Sequence, residues 1–161
     1  MLPKVNKILY ASDIEKGSRP AFRAAVSLCG QYKSEITYLH VMEPLSDSAK
    51  NIIKSIVHDD DLTDMYQQSL VNLKIKLEQR IERFCKEELS GNECLQESQI
   101  KARIEEGVAW KTIVAVANDI DADVIVMGTR THSTVGQFFT GSTANKVMIN
   151  SKRPLLIIPL K

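Results

Sequence analysis

The apolar positions along this chain switch between short runs with period two and longer stripes spaced three and four apart, which predicts alternating strands and helices. Val5 to Ala11 reads as a first strand, with Val5, Ile8, Leu9 and Ala11 feeding the interior. Ser18 is placed as a helix N-cap, and Pro20 falls in the first turn, where a missing N–H is tolerated. Phe22, Ala25, Val26 and Cys29 recur at i, i+3, i+4 and i+7, one face of a helix ending near Gly30. Ile36 to Val41 reads as the second strand.

From Glu43 to Asp61 the pattern is weakest. Pro44 and Ser46-Asp47-Ser48 open a loop, and Asn51 to Val57 suits a short helix. His58-Asp59-Asp60-Asp61 reads as an acidic helix start rather than a metal cluster. The stripe Leu62, Tyr66, Leu70, Leu73, Leu77, Ile81 and Phe84 predicts one long amphipathic helix, with Glu82 and Lys86 spaced as an i,i+4 pair. A coiled coil would share that spacing, and a helix covering one face of a sheet explains it as well. Ser90-Gly91-Asn92 breaks the helix.

Ser98 to Glu106 alternates Ile100, Ala102 and Ile104 with charged neighbours, the signature of an exposed or edge strand. Trp110, Ile113, Val114 and Ala117 define another helix. Val124-Ile125-Val126-Met127 is continuously apolar, as a central strand buried on both faces requires. Gly141-Ser142 opens a helix expected to carry Ala144, Val147 and Met148 inward. Leu155 to Ile158, bracketed by Pro154 and Pro159, completes the set as a strand at a sheet edge. Five strands and four main helices in βαβα order, joined by right-handed crossovers, predict an α/β fold: an open, doubly wound parallel sheet with helices on both faces. There is no internal repeat, so residues 1–161 are read as a single domain.

Composition narrows the function classes. Hydrophobic residues make up 43% and charged residues 25% of 161, an ordinary soluble balance. Lys plus Arg total 21 against 20 acidic residues, without a basic stripe, which speaks against a nucleic-acid partner. No apolar run approaches bilayer length, and the N-terminus lacks the features of a secretory signal. Cys29, Cys85 and Cys94 are odd in number and show no CxxC spacing, and His40, His58 and His132 are scattered. The expectation is a reduced cytoplasmic protein without a metal centre and without a membrane partner.

One segment carries chemistry. Met127-Gly128-Thr129-Arg130-Thr131-His132-Ser133, continuing through Gly136 to Thr140-Gly141-Ser142-Thr143, follows a buried strand and opens a helix. Glycines permit close backbone approach, loop amides form an anion cavity, and a helix N-terminus adds partial positive charge. Ser142 and Thr143 offer hydroxyls and Arg130 a phosphate partner; Ser142 as a helix cap and Arg130 as a solvated side chain are the plainer alternatives.

Nearly the whole chain resembles the universal stress protein family. Lys7-Ile8-Leu9-Tyr10-Ala11-Ser12-Asp13 looks like its first strand ending in Asp, and Leu39-His40-Val41 like its second. Glu106-Gly107, Ile113 to Ala117 and Ala122-Asp123-Val124-Ile125-Val126-Met127-Gly128 resemble its most recognisable block, and Arg153 to Pro159 its end. The ATP-binding branch carries Gly, two residues, Gly, nine residues, then Gly with Ser or Thr. Here Gly128, Gly141 and Ser142 keep that spacing, while Thr131 stands where the second glycine belongs.

The resemblance implies a Rossmann-like sheet of the adenine nucleotide alpha hydrolase kind, with strand order 3-2-1-4-5, and a homodimer formed through the last strand. It implies an adenine nucleotide, ATP or AMP, with magnesium as a potential companion. Asp13 and Val41 would lie beside adenine and ribose; Gly128, Arg130, Thr131, Gly141, Ser142 and Thr143 would surround the phosphates; Ala11 and Met127 complete the set. Asp13 as a turn residue and Val41 as core are the structural alternatives. The competing function is a dimeric stress or interaction protein of the same fold that has lost the nucleotide, to which Thr131 points. A Walker P-loop is absent, and no nucleophile has an evident base. Dedicated catalysis is not expected, and slow ATP hydrolysis is the most the residues allow.

Overall fold

Five parallel strands form one sheet in the order β3-β2-β1-β4-β5. They are β1 (Lys7–Ala11), β2 (Glu35–Met42), β3 (Ile100–Glu106), β4 (Val124–Arg130) and β5 (Leu155–Leu160). The computed structural model describes residues 4–15, 17–29, 34–57, 59–88, 97–130 and 141–160. The helices are α1 (Arg19–Leu28), α2 (Asp47–Ile56), α3 (Asp59–Glu88), α4 (Ala109–Asp119) and α5 (Ser142–Asn150).

Period-two alternation sorts the strand side chains onto two faces. Ile8 and Tyr10 of β1 join Ile36, Tyr38, Val124 and Val126 under α1 and α3, where Phe22, Ala25, Leu77, Ile81 and Phe84 close one core. Leu9 and Ala11 join Leu39, Ile125 and Met127 under α4 and α5, where Ile113, Ala117, Ala144 and Val147 close the other. Rings of Tyr10, Phe22, Tyr38 and Phe84 pack with centroids 4.3–5.2 Å apart through the first core, Tyr10 and Phe22 stacked and the other pairs tilted or edge-on. The expected two-sided burial of Val124 to Met127 follows from β4 lying between β1 and β5.

Register at the start of the sheet is fixed by a polar clip. The Asp123 carboxylate accepts from the amides of Asn6 and Lys7 at 2.8 and 2.9 Å, and its own amide donates to the Lys7 carbonyl. Ion pairs of Arg19 and Arg23 with Glu87 and Glu88 tie α1 to the end of α3.

Several local expectations change in the fold. Ser18 occupies the N-cap position of α1 with helical backbone angles and no side-chain cap; its hydroxyl donates to the Glu15 carbonyl and accepts from Arg80 instead. The short helix begins earlier, at Asp47, because Ser46 Oγ accepts from the Ala49 amide. Met148 is 52% exposed rather than inward, since the 100° step from Val147 carries it past the contact edge of α5. The long stripe is fully covered only toward its end: Leu77, Ile81 and Phe84 are buried, Leu62, Leu70 and Leu73 are half-buried, and Tyr66 is exposed. Thirty residues of helix span about 45 Å, whereas a seven-residue strand reaches about 23 Å, so α3 outruns the sheet. Among the described residues no helix is long and apolar enough to cross a membrane.

Candidate functional site

β1 feeds α1 on one face of the sheet, and its neighbour β4 leads toward α5 on the other. The carboxyl ends of β1 and β4 therefore part at a topological switch point, where open α/β sheets collect ligands. A cavity of about 460 Å³ opens there.

The expected site residues converge on it. Ala11 and Asp13 reach it from the end of β1, and Val41 from β2. Met127, Gly128 and Arg130 line it from β4, while Gly141, Ser142 and Thr143 line it from the start of α5. Thr131, with His132, Ser133 and Gly136, lies outside the described residues. Ser12, His40, Glu43 and Ala109 also line the cavity and were not singled out from the sequence. His40 was legible only as part of Leu39-His40-Val41; its Nδ1 lies 2.8 Å from the Ser12 carbonyl, which only accepts. Nδ1 thus donates to that carbonyl and fixes the ring at the cavity wall.

The polar centre is a charge pair across the crevice. Arg130 Nε donates to Asp13 at 3.1 Å and lies 3.3 Å from a Glu15 carboxylate oxygen. Arg130 is therefore paired rather than simply solvated. Its Nη2 is buried and meets no acceptor among the described residues. Burial by itself would raise the Asp13 carboxyl. The hydrogen bond from Arg130, the Glu15 amide, and the charges of Arg130 and Arg80 outweigh burial and hold it below the ordinary carboxylate value.

The two described motif glycines serve different ends. A Cβ on Gly128 would stand 2.5 Å from Leu160 Cδ1, so this glycine makes room for a buried core side chain. A Cβ on Gly141 would meet no atom of the described residues within 4 Å. Gly141 is the N-cap of α5, and no side chain among the described residues caps the helix there. Ser142 is the first residue of α5 rather than its cap. The first intrahelical bond runs from the Asn145 amide to the Gly141 carbonyl, so the three amides before it are without intrahelical acceptors at the edge of the cavity. Such amides, with the helix dipole, favour an anion.

Sheet order and crevice together define a doubly wound α/β protein with a cavity at the β1/β4 switch point. A model of the universal stress protein family matches residues 4–159, and the chain belongs to that family. Universal stress protein MJ0577 of Methanocaldococcus jannaschii is 24% identical to it, across 96% of this chain and 95% of its own. The solved structure of MJ0577 superposes with a TM-score of 0.66 at 20% identity, covering 99% of both chains. UspA from Lactobacillus plantarum superposes at 0.68 with 18% identity, over 98% of this chain and 99% of its own. A universal stress protein solved in complex with cAMP superposes at 0.59 with 18% identity, over 97% and 98%. These structural likenesses establish the fold.

Proposed function

We propose that this universal stress protein binds an adenine nucleotide, ATP or AMP, in the crevice between β1 and β4 and acts in stress response or signalling in the cytoplasm. The observation that carries the reading is the convergence on one cavity of an arginine whose buried Nη2 meets no acceptor among the described residues and the first turn of α5, which no described side chain caps. Both are donors that a phosphate would satisfy. Asp13, Val41 and Ala11 flank the base and ribose in this assignment, and Met127, Gly128, Arg130, Thr131, Gly141, Ser142 and Thr143 surround the phosphates. The cAMP complex of a structural neighbour is in keeping with an adenine ligand in this fold. The nucleotide biases a conformation or a partner surface rather than serving as the substrate of a dedicated enzyme. The same reading makes residues 1–161 one domain and pairs two copies through β5.

Thermal melting with ATP, ADP, AMP and GTP, each with and without magnesium, tests the proposal. An adenine nucleotide at about 100 times its Kd adds roughly 2.7 kcal/mol of stability. Thr131 at the motif's second glycine favours the other reading, a dimeric interaction protein without nucleotide. A flat melting temperature with every adenine nucleotide at millimolar concentration, together with binding restored by Thr131→Gly, decides for that reading.

A further inference from the structure

Arg80 lies on α3, away from the crevice, yet its guanidinium reaches into the loop between β1 and α1. One nitrogen, Nη1, donates to the Ile14 carbonyl. The other, Nη2, donates to the Glu15 carbonyl and to Ser18 Oγ, both at 2.8 Å. Three acceptors in a five-residue stretch thus converge on a single planar fork.

The loop needs such a fastening. Ile14 has φ of 61°, the left-handed region, where a β-branched residue is a genuine outlier. Its side chain is buried at 8% exposure, and its amide donates to Ser12 Oγ at 3.1 Å. Ser12 is itself pinned to β2: its amide donates to the Leu39 carbonyl, and its hydroxyl accepts from Tyr38 at 3.3 Å. The entry of the loop is therefore held by β2. Past Ile14, Arg80 takes over, and the two residues flanking Ile14 are Asp13 and Glu15, whose carboxylates hold Arg130.

We propose that Arg80 is the positioning residue of the crevice: by bridging the Ile14 and Glu15 carbonyls it keeps Ile14 left-handed and so presents Asp13 and Glu15 to Arg130. Its effect on ligand affinity rests on the nucleotide reading above; its effect on the loop does not. Without Arg80, both carbonyls lose their shared donor and Ile14 relaxes toward the right-handed region. A loop in the competent state one-tenth of the time binds its ligand about tenfold more weakly. Glycine adopts positive φ without strain, so a glycine at position 14 weakens the dependence on Arg80.

The test combines amide exchange with nucleotide titration on the full chain. Arg80→Gln speeds exchange of the amides at 13–15 without ligand and weakens AMP or ATP binding about tenfold, with Arg80→Lys intermediate. In an Ile14→Gly background the same substitution changes affinity by less than about threefold, because the two sites are coupled. Unchanged loop exchange in Arg80→Gln overturns the proposal, as does an equal loss of affinity with Ile14 or Gly at position 14. Should the wild-type chain bind no nucleotide, the functional reading falls and the exchange of residues 13–15 alone decides the role of Arg80.

Discussion

Arg130, at the end of β4, donates through Nε to the Asp13 carboxylate beyond β1 at 3.1 Å, joining two segments 117 residues apart. The pair spans the crevice where the strands part, and Nη2 of the same guanidinium meets no acceptor among the described residues. Arg130→Ala therefore removes a charged donor from the proposed nucleotide site. A hydrogen bond to a charged group contributes about 1.5–3 kcal/mol, so affinity for an adenine nucleotide falls roughly ten- to hundredfold by isothermal titration. Folding stability changes by less than about 1 kcal/mol in urea, because Asp13 is half exposed and water replaces the partner.

The same pair sets a pH dependence with a definite sign. Arg130 holds the Asp13 carboxyl below the ordinary aspartate value in the folded chain. A depressed carboxyl contributes stability that is fully present above the unfolded pKa and is lost as pH falls through the folded one. Asp13→Asn removes that contribution. Melting of the two proteins from pH 6 to pH 2.5 should show the wild-type advantage constant above about pH 5 and shrinking below about pH 4. An advantage that grows on acidification contradicts the assignment.

Gly128 is predicted to matter first for packing. In Gly128→Ala the new methyl is driven against Leu160, whose buried side chain stands 2.5 Å from the ideal Cβ position. Overpacking of this kind destabilises by about 1–3 kcal/mol. Adding Gly128→Ala to Leu160→Ala should cost under about 0.5 kcal/mol more than Leu160→Ala by itself, measured as a double-mutant cycle in urea. Equal costs in the two backgrounds would point to a backbone requirement at Gly128.

β5 pairs with β4 and is terminal in the sheet order, with Leu155 to Ile158 partly buried. An apolar edge strand invites a further strand, and the proposed homodimer supplies one from a second copy. Ile157→Lys should shift sedimentation from dimer toward monomer at micromolar concentration. Ile157 also packs against the α4/α5 core, so circular dichroism must show the variant folded. A folded variant that stays dimeric places the interface elsewhere.

The strand order followed from the resemblance to the universal stress protein family; hydrophobic periodicity by itself determined the order of elements and the buried identity of Val124 to Met127. Those features depend on neighbours in sequence, and a local pattern records them directly. The resemblance to the family's nucleotide motif, carried by Gly128, Gly141 and Ser142, implied one cavity before any geometry was known. The tertiary structure alone decided that Asp13 faces Arg130, that Gly128 yields space to Leu160, that α3 overshoots the sheet, and that Arg80 fastens the loop after β1. Each of these joins residues far apart along the chain. Which distant side chain fills a gap or answers a carbonyl is settled only when the sheet and its helices have closed around both.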